Sequence, residues 1–281
     1  MTELAYINGN ILPIKDAVVS IEDRGYQFGD AVYEFIASYD GKMFWLEAHL
    51  DRLIRSMSEL SFPVISRSFL KDEIYRLYDK ADISRAGIYI QISRGIAKRN
   101  HAFGNKMVPQ LVMTIRPVSE VSPALKENGV KVITMEDFRW GRCDIKTVQL
   151  LPNVLAKQKA VKAGVYDTIF ISKEKIVREA SSSNLFAVIG NKIFTHPLTR
   201  HILEGITRKV IFEICGRLNY EIEERFFDLD LLYGAKEVFL SGTVTEILPV
   251  IKIDDKFVGK GQPGPKARAI FKALRACTKD S

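Results

Sequence analysis

Short apolar segments joined by two-residue turns limit the folds open to this chain more than any other feature of its sequence. Residues 6–12 contain the pair Asn8-Gly9 and residues 38–44 contain Asp40-Gly41, and both pairs favour tight β-hairpins. The strands therefore lie mostly in hairpins, without the regular strand-helix alternation of a doubly wound fold. The sequence predicts a mixed α/β protein of the α+β class.

A helical period begins at Leu46, where apolar residues recur every three or four positions as far as Leu60. Arg52 falls away from that apolar stripe. Further helices are predicted over 70–77 and 153–163, from about 207 and from about 266, with strands over 87–94, 111–115, 130–134, 168–171, 185–189, 192–195 and 237–240.

A polar stretch that contains Pro123 separates two apolar strands near the middle of the chain. Proline, glycine, serine and asparagine are typical of connecting segments, so residues 119–129 are predicted to form an interdomain linker. We expect a smaller N-terminal α/β domain over 1–118 and a larger C-terminal α/β domain over 130–281.

The composition is that of a globular protein, with 281 residues of which 47% are hydrophobic and a net charge of +7. No apolar run approaches the ~18 residues of a membrane span, and no secretory signal is visible, so we expect a soluble, cytoplasmic protein. The positive charges are scattered, which argues against nucleic acid as a partner. The three cysteines and four histidines show no metal-ligand spacing.

Two turns offer backbone N–H groups to a small anion. Gly205-Ile206-Thr207 lies at a predicted helix start, and Ser241-Gly242-Thr243 follows a predicted strand. Taken alone, each is explained more simply as a plain N-cap or turn.

Lys146 lies in a segment whose other residues have the character of a buried segment. Burial would lower the pKa of this lysine and leave a neutral amine available as a nucleophile, whereas a surface lysine would extend into solvent. Glu179 is likewise consistent with a turn or cap, and Arg52 with a solvated helix position. The residues alone leave these alternatives open.

Taken together, motifs spread over almost the whole chain resemble the fold-type IV pyridoxal-phosphate enzymes, which include branched-chain and D-amino-acid aminotransferases and aminodeoxychorismate lyase. Arg99-Asn100-His101 resembles the carboxylate-binding motif of the D-amino-acid aminotransferases, and residues 142–160 are especially similar to that branch. The motifs are Tyr26-Gln27-Phe28-Gly29-Asp30-Ala31-Val32-Tyr33-Glu34, His49-Leu50-Asp51-Arg52-Leu53, Arg142-Cys143-Asp144-Ile145-Lys146, Glu179-Ala180-Ser181-Ser182-Ser183-Asn184, Leu203-Glu204-Gly205-Ile206-Thr207-Arg208 and Gly242-Thr243-Val244-Thr245-Glu246.

The resemblance implies pyridoxal 5'-phosphate as cofactor, bound in the cleft between two domains. Lys146 matches the lysine that forms the Schiff base and then moves the α-proton, and Glu179 matches the carboxylate paired with the pyridine nitrogen. The other matched cofactor-binding positions are Arg52, Ser182, Ser183, Leu203, Ile206, Thr207, Gly242 and Thr243, with Arg52, Ile206, Thr207 and Thr243 on the phosphate. The matched substrate-binding positions are Tyr33, Arg99 and His101, the last two reaching the site of the neighbouring subunit in a homodimer.

The activity implied is ping-pong transfer of an amino group from a D-amino acid, such as D-alanine, to 2-oxoglutarate, giving pyruvate and D-glutamate. The substrates would be small amino and keto acids. A branched-chain L-amino-acid aminotransferase is the nearest alternative, because Gly242-Thr243 also suits that branch, and aminodeoxychorismate lyase is a further one. A non-enzymatic basic binding protein is the alternative from another class. Phe35 and Gly242 depart from the D-specific pattern, which has a smaller aliphatic residue and a hydroxyl residue there.

Overall fold

The computed structural model describes residues 3–280, and these form two compact units. The first unit contains the residues up to Ser119 together with Ile145–Gln149. The second unit contains Glu120–Asp144 and Leu150–Asp280.

The described part of the first unit contains a six-stranded sheet with helices packed on it, and the strand order is β2-β1-β6-β5-β3-β4. Its strands are β1 (Leu4–Ile7), β2 (Asn10–Pro13), β3 (Ala31–Tyr39), β4 (Lys42–Met43), β5 (Ala86–Ser93) and β6 (Gln110–Pro117). Its helices are α1 (Arg24–Phe28), α2 (Leu46–Glu59) and α3 (Arg67–Ala81), with a 3₁₀ turn at Ile14–Asp16.

The two predicted N-terminal hairpins are confirmed. β1 pairs with β2 and β3 with β4, in both cases antiparallel. The turn residues Asn8, Gly9, Asp40 and Gly41 all have positive φ, between 46° and 99°. Two consecutive residues with positive φ are what a tight I′ hairpin turn requires, and this explains the Asn-Gly and Asp-Gly pairs.

The core of the first unit lies between one face of the sheet and helices α2 and α3. Along β3 the side chains of Val32 and Ile36 enter this core, and α2 contributes Leu50 and Leu53. Glu34 lies between Val32 and Ile36 on the same strand and is also completely buried. A buried carboxylate at a core position needs charged or hydrogen-bonding partners, and helix α2 supplies them.

The second unit, within its described residues, contains a nine-stranded mixed sheet, ordered β12-β11-β10-β13-β14-β7-β8-β9 with β15 beside β14. Its strands are β7 (Val130–Glu136), β8 (Asp167–Ile171), β9 (Val177–Ala180), β10 (Asn184–Ile189), β11 (Lys192–Thr195), β12 (Ile222–Glu224), β13 (Glu237–Gly242), β14 (Glu246–Ile253) and β15 (Lys256–Phe257). Its helices are α4 (Pro123–Asn128), α5 (Leu151–Lys162), α6 (Ile206–Arg217), α7 (Leu229–Tyr233) and α8 (Pro265–Asp280). The predicted mixture of helices and mainly antiparallel strands is confirmed.

Two segments differ from the sequence-based expectation. Residues 119–129, predicted as a linker, contain helix α4, which begins at Pro123 and is followed by Gly129 at φ 76°. Ile145–Gln149, expected in the C-terminal domain, belongs to the first unit. Among residues 3–280, no helix is both long and apolar enough to cross a membrane.

Candidate active site

Lys146 lies on a segment whose backbone is fixed against strand β3. The Tyr33 N–H donates to the Lys146 carbonyl at 2.9 Å, and the Val148 N–H donates to the Ala31 carbonyl at 3.2 Å. The Lys146 N–H donates to the Ser56 hydroxyl of α2 at 3.2 Å. These bonds hold a partly buried lysine at one place beside the start of β3.

An aromatic surface lies beside the Lys146 amine, on the face of the sheet opposite the core. The Lys146 Nζ is 4.3 Å from the centre of the Tyr33 ring, and the Tyr33 and Tyr89 rings are 5.6 Å apart. The Tyr89 hydroxyl donates to Gln91 Oε1 at 2.8 Å. Burial, together with the neighbouring Tyr33, raises the pKa of Tyr89 to about 12, so its hydroxyl stays protonated.

A buried ion cluster on β3 and α2 contains Arg52. Its Nε donates to Glu34 Oε1 at 2.6 Å and its Nη2 donates to Oε2 at 2.9 Å, while His49 Nδ1 lies 2.7 Å from Oε2. All three side chains are at least 94% buried. Arg52 therefore has a fixed orientation, because the carboxylate of Glu34 engages one edge of its guanidinium group.

The charge state of this cluster follows from its geometry. Burial favours the protonated form of Glu34, but the charge of Arg52 and the hydrogen bond from His49 outweigh it and hold the pKa of Glu34 below its usual range. Burial lowers the pKa of His49, and Glu34 opposes this only in part. His49 is then neutral at pH 7, and its contact with the ionised Glu34 places the ring proton on Nδ1.

Arg99 and His101 lie on the exposed loop between β5 and β6 and meet at one aromatic ring. The Arg99 guanidinium is 4.5 Å from the centre of the Phe28 ring, and the His101 ring is 5.5 Å from it. Arg99 NH1 also donates to the Gln27 carbonyl at 3.4 Å. The structure thus brings Arg99 and His101 together at α1, and both are exposed.

The loop that carries Arg99 and His101 is anchored by the buried Arg24. Arg24 NH1 donates to the Asn100 carbonyl at 2.6 Å, and NH2 donates to the His101 carbonyl at 3.1 Å. Its Nε donates to Asp30 at 2.8 Å. The loop backbone is therefore held, and the exposed side chains of Arg99 and His101 lie against Phe28.

In the second unit, Glu179 is a buried carboxylate with several donors. Arg139 NH1 donates to its Oε1 at 2.6 Å, and the Leu203 N–H lies 3.2 Å from both oxygens. Arg139 is in turn bonded to Asp137. Burial raises the pKa of Glu179, while Arg139 and the Leu203 N–H act in the opposite direction.

Asn184 joins three of the predicted cofactor-binding segments. Its Nδ2 donates to Glu179 Oε2 at 3.0 Å and to the Leu203 carbonyl at 2.8 Å. A Cβ added at Gly205 would lie 2.1 Å from Asn184 Oδ1, so this close approach requires glycine. Gly205 precedes α6, whose first residues Ile206 and Thr207 have no side-chain cap on their N–H groups.

The hairpin between β13 and β14 lies next to Ser183. The Ser183 hydroxyl is 3.4 Å from the Thr245 hydroxyl, and a Cβ added at Gly242 would lie 3.5 Å from the Ser183 oxygen. That spacing is an ordinary contact. Thr243 follows Gly242 and is half-buried, whereas Ser182 is exposed.

The sequence of the chain matches a known family over most of its length. A model of the amino-transferase class IV family matches residues 31–253. The chain belongs to the class IV aminotransferases. Enzymes of this class use pyridoxal 5'-phosphate, so the resemblance, the type of enzyme and the cofactor predicted from the sequence are confirmed.

Several curated relatives of this class IV aminotransferase are similar over nearly their full length. A D-alanine aminotransferase of Bacillus licheniformis is 39% identical over 269 residues, covering 95% of this chain and 94% of the relative. One of Staphylococcus haemolyticus is 42% identical over 271 residues, covering 94% of each. Among solved structures, a branched-chain amino acid aminotransferase of Escherichia coli has a TM-score of 0.92 at 26% identity, covering 98% of this chain and 94% of that chain. The predicted fold-type IV architecture is thereby confirmed.

The structure adds residues that contact the predicted site positions and that the sequence analysis did not assign. Glu34 and His49 orient Arg52, while Arg139 and Asn184 orient Glu179. Glu34, His49 and Asn184 lie inside the motifs that carry the resemblance, but the sequence predicted roles only for residues next to them. Arg139 lies outside those motifs.

Proposed function

We propose that this class IV aminotransferase moves the amino group of a D-amino acid, with D-alanine as the reference donor, to 2-oxoglutarate. The observation that carries the proposal is the 39–42% identity to D-alanine aminotransferases over nearly the whole of each chain. The products would be pyruvate and D-glutamate. Because donor and acceptor use one site in turn, the reaction follows ping-pong kinetics.

Residues of both units fit pyridoxal phosphate chemically. The first unit offers the Lys146 amine and the guanidinium of Arg52, and the second offers the buried Glu179 carboxylate and the uncapped start of α6. When bound, pyridoxal phosphate supplies an aldehyde for amino groups and a ring that withdraws electrons from the substrate α-carbon. These residue types match its aldehyde, ring nitrogen and phosphate.

We assign Lys146 as the catalytic residue. Its Nζ would hold the cofactor through the aldehyde carbon, and once a substrate amine had replaced it, the freed Nζ would accept the proton of the substrate α-carbon and later donate that proton to complete the amino transfer. The backbone bonds to Tyr33 and Ser56 limit where this amine can move. Such restriction favours one face of the substrate.

We assign Glu179 to the N–H of the protonated pyridine ring. This buried carboxylate would keep the ring nitrogen protonated, and a protonated ring would stabilise negative charge at the substrate α-carbon. Arg139, the Leu203 N–H and Asn184 fix the direction of the Glu179 oxygens.

We assign the dianionic phosphate to Arg52, to the N–H groups of Ile206 and Thr207 and to Thr243. A helix N-terminus favours an anion, and α6 begins at Ile206 without a side-chain cap. Gly205 allows Asn184 to lie directly against this helix start. Ser182, Ser183, Leu203 and Gly242 complete the proposed cofactor-binding set.

We propose that Tyr33 binds the substrate carboxylate together with Arg99 and His101 of a second copy of the chain. Arg99 and His101 are exposed and lie on an anchored loop, which supports a role across a subunit interface. Exposed apolar side chains are present in both units, as expected for a homodimer. They include Val18, Ile21 and Tyr26 in the first unit and Leu151, Val154 and Val161 in the second.

A cytoplasmic location is proposed from the cysteines. Cys143, Cys215 and Cys277 are all free thiols. Unpaired cysteines are usual in proteins of a reducing compartment.

Activity with two amino donors tests the proposed function. The purified protein should form pyruvate from D-alanine and 2-oxoglutarate at least about tenfold faster than it deaminates L-leucine, a ratio that corresponds to ~1.4 kcal/mol in transition-state binding. The Lys146→Ala variant should lose this activity. Activity with L-leucine alone would favour the branched-chain alternative, which the fold of the Escherichia coli enzyme supports.

A further inference from the structure

Glu246 closes the turn between β13 and β14 in a backbone conformation that disfavours its side chain. Its φ is 55°, in the left-handed region that glycine occupies most readily. Among the non-glycine residues of 3–280 with positive φ, it is the one whose side chain is buried, with 1% of its surface exposed. A buried carboxylate in this conformation requires strong compensating contacts.

Two cations from different helices provide these contacts. Lys126 of α4 donates to Glu246 Oε2 at 2.5 Å, and Arg275 of α8 donates to Oε1 at 2.9 Å. Lys126 is only 12% exposed and lies 5.0 Å from the centre of the Phe271 ring. Arg275 also reaches the exposed Glu120 at 3.8 Å. Both oxygens of Glu246 are therefore fixed by charge-assisted hydrogen bonds.

The turn that Glu246 closes carries a residue of the proposed cofactor site. Glu246 pairs with Gly242 across the hairpin, and Thr243 is the first residue of the turn between them. On the other side, the Thr245 hydroxyl lies 3.4 Å from that of Ser183. Thr243 thus lies in a turn that starts after Gly242 and ends at Glu246, and these two residues pair with each other across the hairpin.

We propose that Glu246 is a positioning residue for the cofactor phosphate. Held by Lys126 and Arg275, its carboxylate fixes the 243–245 turn in the conformation in which Thr243 donates to the phosphate. This inference rests on the assignment of Thr243 under the proposed function. Glu246 acts through the turn and does not itself contact the phosphate, because two like charges would repel each other.

Removing the carboxylate tests the inference, and the double variant Glu246→Gly with Lys126→Met is the decisive one. Glycine suits a φ of 55°, and methionine leaves no unpaired buried ammonium group, so the apoenzyme should melt within a few degrees of the wild type. The dissociation constant for pyridoxal phosphate, measured by absorbance titration of the apoenzyme, should rise about tenfold or more. An unchanged dissociation constant in a folded double variant overturns the inference.

Two further variants separate this inference from the proposed function. Glu120→Gln is a control, because it removes an exposed carboxylate that also contacts Arg275. This variant should leave the dissociation constant for pyridoxal phosphate unchanged. Thr243→Val alone should weaken pyridoxal phosphate binding, and adding the Glu246→Gly and Lys126→Met pair should then cost much less than it does in the wild type. If Thr243→Val leaves the dissociation constant for pyridoxal phosphate unchanged, the assignment of Thr243 to the phosphate under the proposed function is wrong. An equal additional loss in both backgrounds overturns the action of Glu246 through Thr243.

Discussion

Phe35 occupies space on the same sheet face as Tyr33 and the Lys146 amine. Side chains alternate along β3, so Tyr33 and Phe35 share the face opposite the core. A Cβ added at Gly87 would lie 2.5 Å from Phe35 Cζ, which places the Phe35 ring directly over Gly87. The absence of a side chain at Gly87 therefore makes room for a large ring two residues from Tyr33.

The variant Phe35→Val is expected to admit larger donors. Removing most of the ring opens space beside Tyr33, and each added methylene in such a pocket contributes ~1–3 kcal/mol to discrimination. The ratio of kcat/KM for D-leucine to that for D-alanine should rise about tenfold. Steady-state kinetics with both donors measure it.

Gly87→Ala provides the opposite change for this test. Its methyl group would overlap Phe35 Cζ and displace the ring, which adds volume on the sheet face that carries Tyr33, so the ratio for D-leucine should fall. If both variants keep the wild-type ratio, Phe35 does not line the donor side-chain pocket.

At the scale of residues, the sequence indicates candidate positions one at a time but does not indicate the residues that they contact. Lys146, Glu179 and Arg52 match family motifs. Their local sequence alone is also compatible with a surface lysine, a turn or cap, and a solvated helix residue. Glu34 lies in an otherwise apolar strand, and only contacts with α2 reveal its ion cluster. The pairing of Arg139 with Glu179 joins positions 40 residues apart, which no local spacing indicates.

The geometry at the start of helix α6 depends on Gly205. In Gly205→Ala the new Cβ would overlap Asn184 Oδ1, so Asn184 must shift and weaken its bonds to Glu179 and Leu203. Loss of one or two such bonds contributes ~1–3 kcal/mol. The dissociation constant for pyridoxal phosphate should therefore rise about tenfold to a hundredfold in an absorbance titration.

Gly216→Ala is the matched control on the same helix. A Cβ at Gly216 meets nothing within 4 Å, and alanine in a helix is more stable than glycine by ~1 kcal/mol. This variant should raise the melting temperature and leave cofactor affinity unchanged. Equal loss of affinity in both variants would mean that the helix as a whole, and not its contact with Asn184, determines binding.

Local signals predicted most elements, while contacts distant in sequence account for the differences. Asn-Gly and Asp-Gly turns and the apolar period from Leu46 depend on neighbouring residues alone, and those elements formed as expected. The pairing of Ile145–Gln149 beside β3 depends on long-range backbone bonds, which periodicity does not encode. In residues 119–129, Pro123 begins a short helix and Gly129 follows its end. Proline and glycine are common at these helix positions as well as in linkers, so the same residues suggested a linker in the sequence.

For the molecule as a whole, three histidines link stability to pH. Burial lowers the pKa values of His49 and His201. It also lowers the pKa of His196, to about 4. Between pH 6.5 and the lowered values, the unfolded chain binds more protons than the folded one, so the free energy of unfolding falls as pH falls. The lowered pKa of Glu34 extends this loss below pH 4.5.

Urea denaturation at pH 7.5 and 5.5 tests this dependence. His196, whose pKa falls to about 4, contributes up to ~1.4 kcal/mol per pH unit below pH 6.5, so the wild type should be at least ~1 kcal/mol less stable at pH 5.5 than at pH 7.5. His196→Gln removes one titrating group and should make the dependence shallower by up to ~1.4 kcal/mol per pH unit. The same slope in wild type and variant would show that His196 does not remain neutral in the fold.

Assembly of two copies can be tested by subunit complementation. If Arg99 serves the site of the other copy, a dimer of one Lys146→Ala chain and one Arg99→Ala chain contains one intact site, made from Lys146 of the second and Arg99 of the first. Mixing the two variants from denaturant should therefore restore about a quarter of the wild-type activity, because half of the dimers are mixed and each has one working site. The assay uses D-alanine below its KM, where Arg99→Ala alone is nearly inactive. If Arg99 instead serves its own chain, both sites of every mixed dimer lack one essential residue, and activity stays at the level of the separate variants.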